Sequence, residues 1–248
     1  MKLNIKLFAV AAAAGCLSLN AMGVYAETSE NYERNMNSHA EVSFKANESI
    51  TAPVDPDNPG GGGVIPVDPD GRETDKEGTA GPLSIDFASD FYFGEQKISA
   101  VDEIYYAAPQ KIKVGVTEEG EPIIENRANY VQVTDNRGGA HGWDLSISQS
   151  GQFETADGTE LDGAVITLGG AGHASASASE APDVNEVAID LEDTLPVMEA
   201  AEGEGAGTHL ATFSEVSLSV PGTTVKEAAQ YSTTVTWTLS DLPNEDIE

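Results

Sequence analysis

Short runs in which apolar and polar residues alternate constrain this chain more than any other feature. In residues 231–240, Val235, Trp237 and Leu239 fall on one side, and threonine and serine fall on the other. Side chains alternate between the two faces of a β-strand, so this run predicts an amphipathic strand. Residues 143–149 repeat the pattern. No stretch keeps a 3.6-residue apolar period, so the chain is predicted to be all-β, with an antiparallel sandwich or barrel-like domain.

Eight such runs, separated by Gly, Pro, Asn and Asp, are predicted as strands. They cover residues 83–87, 111–116, 130–134, 143–149, 164–168, 186–191, 213–220 and 231–240. Two segments between them, residues 169–180 and 199–207, consist of small and acidic residues that bury almost nothing. They are predicted to be long, mobile, acidic and Gly-rich loops. The strand that they flank, residues 186–191, is expected to be a weakly held edge hairpin.

Residues 1–26 are typical of a secretory signal peptide. They combine a basic start, an apolar run over residues 7–19 and a small-residue cleavage site ending at Ala26. The apolar run is too short to span a bilayer, which takes about 20 residues, so a secreted, extracellular protein without membrane insertion is expected. Cys16, the one cysteine, leaves lipidation open as an alternative to cleavage after Ala26. Cleavage after Ala26 would leave no thiol and no disulfide.

Three segments are predicted after the signal. Residues 27–52 contain one short strand, at residues 40–50, which is expected to complete the main domain. Residues 53–80 are interpreted as a linker or long loop, because they are rich in Pro, Gly and Asp and offer little to a packed core. Residues 81–248 are the main β domain.

The acidic balance of the chain excludes one class of partner. There are 42 acidic residues against 12 basic ones, and the formal net charge is −30. Binding to nucleic acid requires clustered Lys and Arg, so nucleic acid is excluded as a partner. An anionic membrane surface is disfavoured for the same reason.

Each of the two tryptophans of the chain begins a Trp-x-Leu tripeptide. The tripeptides are Trp143-Asp144-Leu145 and Trp237-Thr238-Leu239. Each lies inside a predicted amphipathic strand, and the second lies close to the carboxyl end of the sequence. The tripeptide alone is a weak signal, but its surroundings strengthen it. Upstream, residues 82–86, 91–94 and 105–110 read PLSID, FYFG and YYAAPQ.

In this order, these segments and the two tripeptides resemble the WxL domain of low-GC Gram-positive bacteria over residues 42–242. The resemblance implies a small secreted member of the family, attached without a covalent bond to peptidoglycan in the cell wall, often beside other surface proteins. It places the ligand-binding activity in the region of the paired motifs. No LPxTG sorting signal follows Pro243, as expected for non-covalent attachment.

The resemblance assigns six residues to wall binding, and two interpretations of them stay open. The six residues are Trp143, Asp144, Leu145, Trp237, Thr238 and Leu239. In one interpretation the indoles stack on sugars, while Asp144 and Thr238 hydrogen-bond to sugar polar groups. In the other, the tryptophans belong to the core, as Trp on an apolar strand face often does. The wall contact would then lie on a hydroxyl-rich face or at Tyr105 and Tyr106.

No enzyme, cofactor or metal site is expected. The four histidines show no HExxH or other metal-binding spacing, and no GxSxG motif is present. A calcium loop at residues 55–66 would need Glu where Pro66 stands. Two alternatives to wall binding remain: a structural subunit or adhesin whose main partner is another surface protein, and a wall hydrolase using paired carboxylates.

Overall fold

The structure is a computed structural model that describes residues 34–191 and 193–241. Within these ranges every regular element is a strand, which confirms the all-β prediction. The strands are β1 (Val54–Asp55), β2 (Asn58–Gly63), β3 (Ile65–Val67), β4 (Leu83–Ala88), β5 (Glu103–Tyr106), β6 (Gln110–Val116), β7 (Pro122–Arg127), β8 (Asn129–Asp135), β9 (Trp143–Gln149), β10 (Val165–Ser175), β11 (Asp183–Val184), β12 (Val187–Ile189), β13 (Leu195–Ala200), β14 (Gly207–Val220) and β15 (Val235–Ser240). The predicted signal peptide and Cys16 lie outside the described residues.

The chain divides into two compact units, Met1–Val42 and Ser43–Glu248. In the first unit the described residues, 34–42, form no strand and are exposed. The strand predicted at residues 40–50 is not formed, and Phe44 is 92% exposed. That prediction was wrong, because two alternating apolar residues do not make a strand unless a neighbouring strand accepts their hydrogen bonds.

Two antiparallel sheets of the second unit form a sandwich. The larger has the order β12-β10-β14-β8-β4, with β5 also paired to β14, and the smaller has the order β11-β13-β9-β15. Apolar side chains of both sheets meet in one core, among them Val131, Leu145, Ile147, Ile166 and Val197. Each is at most 1% exposed, and burial of a side chain of this size contributes about 1.5–3 kcal/mol.

The Pro- and Gly-rich segment predicted as a linker or loop contains β1, β2 and β3. Polar side chains of β7 and β8 hold its start. The Gln132 side chain accepts a hydrogen bond from the Val54 N–H at 2.8 Å and donates one to the Ala52 carbonyl at 3.1 Å. Arg127 donates to both carboxylate oxygens of Asp55, at 2.6 and 2.7 Å. These hydrogen bonds lower the pKa of Asp55. The composition of the segment could not show that its partners lie elsewhere in the chain.

Much of the first predicted loop, residues 169–180, is strand. β10 pairs with β14 as far as Ser175, so the loop prediction was wrong over residues 169–175. The small residues reflect close approach of the strands, since a Cβ at Gly172 would lie 2.9 Å from Thr212 Oγ1. β12, within the run predicted as an edge hairpin, does lie at the edge of the larger sheet.

Candidate functional site

The two Trp-x-Leu motifs lie on neighbouring strands. β9 and β15 pair antiparallel, with Leu145 opposite Leu239 and Trp237 opposite Ile147. On its other side β9 pairs with β13, where Trp143 lies opposite Ala200. Because the strands run in opposite directions, the two indoles lie at opposite ends of one apolar row, with the paired leucines between them.

Trp143 is a core residue. Its side chain is 0% exposed, and its indole N–H donates to the Gly205 carbonyl at 3.0 Å. Gly205 has a φ of +74°, and a Cβ there would lie 2.5 Å from Trp143 Nε1. The connection between β13 and β14 therefore closes over the indole only because residue 205 is glycine.

The other two residues of the first motif are also buried. Leu145 is 0% exposed and Asp144 is 5% exposed. Asp144 lies in register between Glu199 of β13 and Ser240 of β15. The first motif therefore offers almost no surface to a ligand in this fold.

Two histidines lie on the paired strands β10 and β14, and β14 directly follows the same connection. His209 is 0% exposed, and its Nε2 lies 3.1 Å from the Ala206 carbonyl, to which it donates. Its Nδ1 then accepts from His173 Nε2 at 3.0 Å. Burial lowers the pKa of both imidazoles, and the pair is arranged for two neutral rings.

The second motif is placed differently, because β15 is the last strand of its sheet. Trp237 is half-buried, Leu239 packs against the core, and Thr238 is exposed on the opposite face. Trp237 lines a groove of about 460 Å³, which we call the Trp237 groove. Five aromatic side chains line it: Phe91, Tyr92, Phe93, Phe153 and Trp237.

The aromatic wall of the Trp237 groove is positioned by hydrogen bonds around it. The Ser89 N–H donates to the carbonyl of Tyr130 on β8 at 2.9 Å. The Tyr130 N–H donates in turn to Ser89 Oγ at 3.0 Å. The Tyr92 carbonyl accepts from the Ala108 N–H at 2.8 Å. The rings of Phe93 and Phe153 meet edge to face with their centroids 6.3 Å apart.

Charged and hydroxyl groups lie at the rim of the groove. Lys76 Nζ donates to Asp90 Oδ1 at 2.5 Å and to the Ala88 carbonyl at 3.1 Å. Tyr92 is 43% exposed, and burial, together with the negative charges of Asp90 and Asp68, raises the pKa of its hydroxyl. Thr233 and Thr234 also line the groove. The site therefore combines flat apolar surface with a few donors and acceptors, the pattern of a small-molecule or sugar site.

The structure does not bring the six residues assigned by resemblance into one surface. Trp237 lies in a groove, Thr238 is exposed on the other face of the sheet, and the rest face the interior or are buried. The aromatic residues that line the groove with Trp237 were not predicted from the sequence as part of a site. A signal was present, because residues 91–93 are three consecutive aromatics in a chain with 6% aromatic residues.

Within residues 34–191 and 193–241, no group of three or more His, Cys, Asp or Glu side chains is placed to hold a metal ion. No helix in residues 34–191 or 193–241 is long and apolar enough to cross a membrane.

Comparisons with known proteins give one match. The family described as "WxL domain surface cell wall-binding" matches residues 31–243, which include both tripeptides and every strand. Searches of curated proteins and of solved structures found no match. The matched region covers most of the sequence, and the chain is a member of the WxL family of surface cell wall-binding domains.

Proposed function

We propose that this surface protein binds peptidoglycan, and that the Trp237 groove is its contact. The observation that carries the proposal is the partial exposure of Trp237 among four other aromatic side chains in one groove. Trp143, the other indole, is 0% exposed. Membership of a wall-binding family supports a surface location and a wall ligand. A role in catalysis is not part of the proposal.

The chemistry of the groove suits an N-acetylated sugar. An indole or phenyl ring presents a flat apolar face to the C–H side of a sugar ring, and the rim groups Lys76, Asp90 and Thr234 offer hydrogen bonds to its hydroxyl and amide groups. The groove volume of about 460 Å³ lies within the range of small-ligand sites.

The charge of the chain also favours short-range contacts as the source of affinity. A net charge of −30 repels the anionic polymers of a Gram-positive wall, and salt screens that repulsion beyond roughly 8 Å. Binding through stacking and hydrogen bonds should therefore persist or strengthen as the salt concentration rises. Loss of binding to purified walls in high salt would contradict this mode of attachment.

Intrinsic fluorescence tests the contact directly, because the chain has two tryptophans. Titration of the wild type with soluble N-acetylglucosamine oligomers or muropeptides should change the emission of Trp237. The matched control is Trp237→Phe, which keeps a ring in the groove and leaves Trp143 as the one tryptophan, so its tryptophan emission should not change. An unchanged wild-type signal at saturating ligand, or an equal change in both proteins, would refute the proposed contact.

Sedimentation with purified peptidoglycan, stripped of teichoic acids, tests the function itself. The wild type should pellet, and Trp237→Ala should bind about tenfold more weakly, as expected for loss of one stacking contact. Failure of the folded wild type to pellet would exclude peptidoglycan as a sufficient ligand.

One observation favours the second candidate, a subunit whose main partner is another surface protein. β15 pairs with β9 alone among the described strands, so its other edge is available to a strand of a partner. Retention on stripped peptidoglycan only in the presence of other surface proteins would favour this candidate. Release of muropeptides by the purified protein would instead show a hydrolase.

A further inference from the structure

A second cavity opens where two strands share one edge of β14. β8 pairs with β14 as far as Phe213, and β5 pairs with it from Ser217 onward. Between these two ladders, Ser214 and Glu215 have no strand partner on that side within the described residues. A cavity of about 370 Å³ lies at this gap, and we call it the β14 gap.

Asn129 lines the β14 gap and has a buried hydrogen-bond acceptor. The residue is 4% exposed, and its Nδ2 donates to the Ala108 carbonyl at 3.2 Å. This bond sets the orientation of the amide, because the opposite orientation would place two oxygens against each other. Asn129 Oδ1 is buried and has no hydrogen-bond partner among the described residues, an arrangement that proteins avoid unless a water or a ligand supplies the donor.

The exposed lining of the gap adds a carboxylate and an aromatic face. Glu215 is exposed and forms no ion pair within the part of the chain that the structure describes. Tyr106 is 59% exposed and lines the same cavity. A carboxylate attracts a cation, and the face of an aromatic ring attracts one as well.

Positive charge is missing from the gap itself. No lysine or arginine is among its described lining residues. Arg127, two residues before Asn129, is occupied by the carboxylates of Asp55, Asp57 and Glu125. The groups around the cavity therefore accept hydrogen bonds and favour a ligand that donates them and carries a positive charge.

We propose that the β14 gap binds a primary ammonium group. The inference rests on the proposed wall-binding function, because two wall components carry such groups: the free diamino-acid side chains of uncross-linked stem peptides, and aminoacyl esters on teichoic acids. Ammonium recognition gives a chain with a net charge of −30 a favourable electrostatic contact inside an anionic wall.

The site is tested on the full protein with a small probe that does not involve the Trp237 groove. Nα-acetyl-lysine methylamide, which carries the ammonium, is titrated while the side-chain amide signals of Asn129 and the ring signals of Tyr106 are followed by NMR. Saturable shifts are expected. The Nε-acetylated form of the probe should cause no shift, and equal binding of both forms, or no saturable shift, would overturn the proposal.

Four variants sharpen this test. Glu215→Gln should bind the ammonium probe about tenfold more weakly, and Tyr106→Leu about threefold more weakly. Glu119→Gln removes an equal charge from the exposed turn after β6 and should bind like the wild type, as should Trp237→Ala. Equal loss in Glu215→Gln and Glu119→Gln would show an effect of net charge and would overturn the site. Because Trp237→Ala separates the two sites, failure of peptidoglycan binding and failure of ammonium binding are distinguishable.

Treated walls identify the source of the ammonium. Mild alkali removes aminoacyl esters, and acetic anhydride acetylates all free amines. Weaker pelleting after alkali would assign the contact to teichoic acids, whereas weaker pelleting only after acetylation would assign it to stem peptides. If neither treatment changes the difference in pelleting between the wild type and Glu215→Gln, the site has no role in wall attachment.

Discussion

The two Trp-x-Leu motifs have the same pattern, lie on paired strands and place their leucines opposite each other, yet their tryptophans differ in exposure. Trp143 is 0% exposed and is covered by the connection between β13 and β14, and Trp237 is half-buried and lines a groove. The difference follows from the position of the strands. β9 has a neighbour on each side, and β15 is at the edge.

This comparison shows that one motif can occupy two different environments in one domain. At the inner strand the indole fills the core and receives a hydrogen-bond partner from a loop. At the edge strand the same residue retains a surface that a ligand can reach. Four predictions test this distinction.

The largest effect is expected from Trp143→Ala. Removing a fully buried Trp side chain should lower the free energy of unfolding by about 3–5 kcal/mol, because it leaves a cavity and an unpaired Gly205 carbonyl. Denaturant unfolding followed by circular dichroism measures the loss. A loss below roughly 1 kcal/mol would show that Trp143 is not a core residue.

Substitution in the connection between β13 and β14, which covers Trp143, should lower the free energy of unfolding nearly as much. Gly205→Ala should cost about 2–3 kcal/mol, because a Cβ there meets Trp143 Nε1 at 2.5 Å and the φ of +74° is strained for alanine. Gly203→Ala is the matched control. Its φ is +100° but nothing lies within 4 Å of its Cβ, so it should cost about 1–2 kcal/mol from backbone strain alone. Equal losses in the two variants would show that the clash with the indole does not matter.

Trp237→Ala should lower the free energy of unfolding less than Trp143→Ala does. Its main effect should be weaker binding to peptidoglycan. The side chain is half-buried, so a loss of about 1–2 kcal/mol in the free energy of unfolding is expected, together with the weaker peptidoglycan binding described above. Thr238→Ala, on the exposed face of the same strand, should change stability by less than about 0.5 kcal/mol. If Trp237→Ala is as destabilising as Trp143→Ala, the distinction between the two motifs fails.

As the pH falls, the structure around Trp143 should lose stability before the structure around Trp237 does. Burial lowers the pKa of His173 and His209 below the ordinary value of 6.5, so the unfolded chain takes up protons first. Stability from the neutral pair is complete above pH 6.5 and is lost as the pH falls below it. The hydrogen bond to the Ala206 carbonyl and the negative charge of Asp135 oppose part of the lowering of the His209 pKa.

Unfolding midpoints at pH 7.5 and 5.5 measure this loss, and the double variant His173→Gln/His209→Gln should show a smaller loss than the wild type. The same pH dependence in both proteins would contradict the role of the pair. Acrylamide quenching of the tryptophan emission of Trp237→Phe, in which Trp143 is the one tryptophan, should show whether acid opens the covering connection.

Prediction from sequence succeeded where alternation was complete. Residues 143–149 were predicted as a strand and form β9 with the same bounds. It failed where partners are distant in sequence, as in residues 169–175, whose small side chains indicate a loop by composition but let β10 lie close to β14. β7 (PIIENR) and β13 (LPVMEA) were not predicted, because neither keeps a strict alternation of apolar and polar residues.

The candidate site could be predicted in part. The motif identified Trp237, and the resemblance identified a wall-binding family, which the match over residues 31–243 confirms. The aromatic partners of Trp237 come from residues 91–93 and from Phe153, far from it in sequence. No local pattern indicates that three such segments meet at one edge of the sandwich.

The sequence by itself determined the all-β class, the faces of the amphipathic strands and the family, because alternation and motif spacing are local properties that a strand expresses wherever it lies. Only the tertiary structure decided which tryptophan is buried, because burial depends on whether a strand is central or at the edge and on what covers its end. Two tryptophans that begin the same Trp-x-Leu pattern therefore differ in exposure through their neighbours in space.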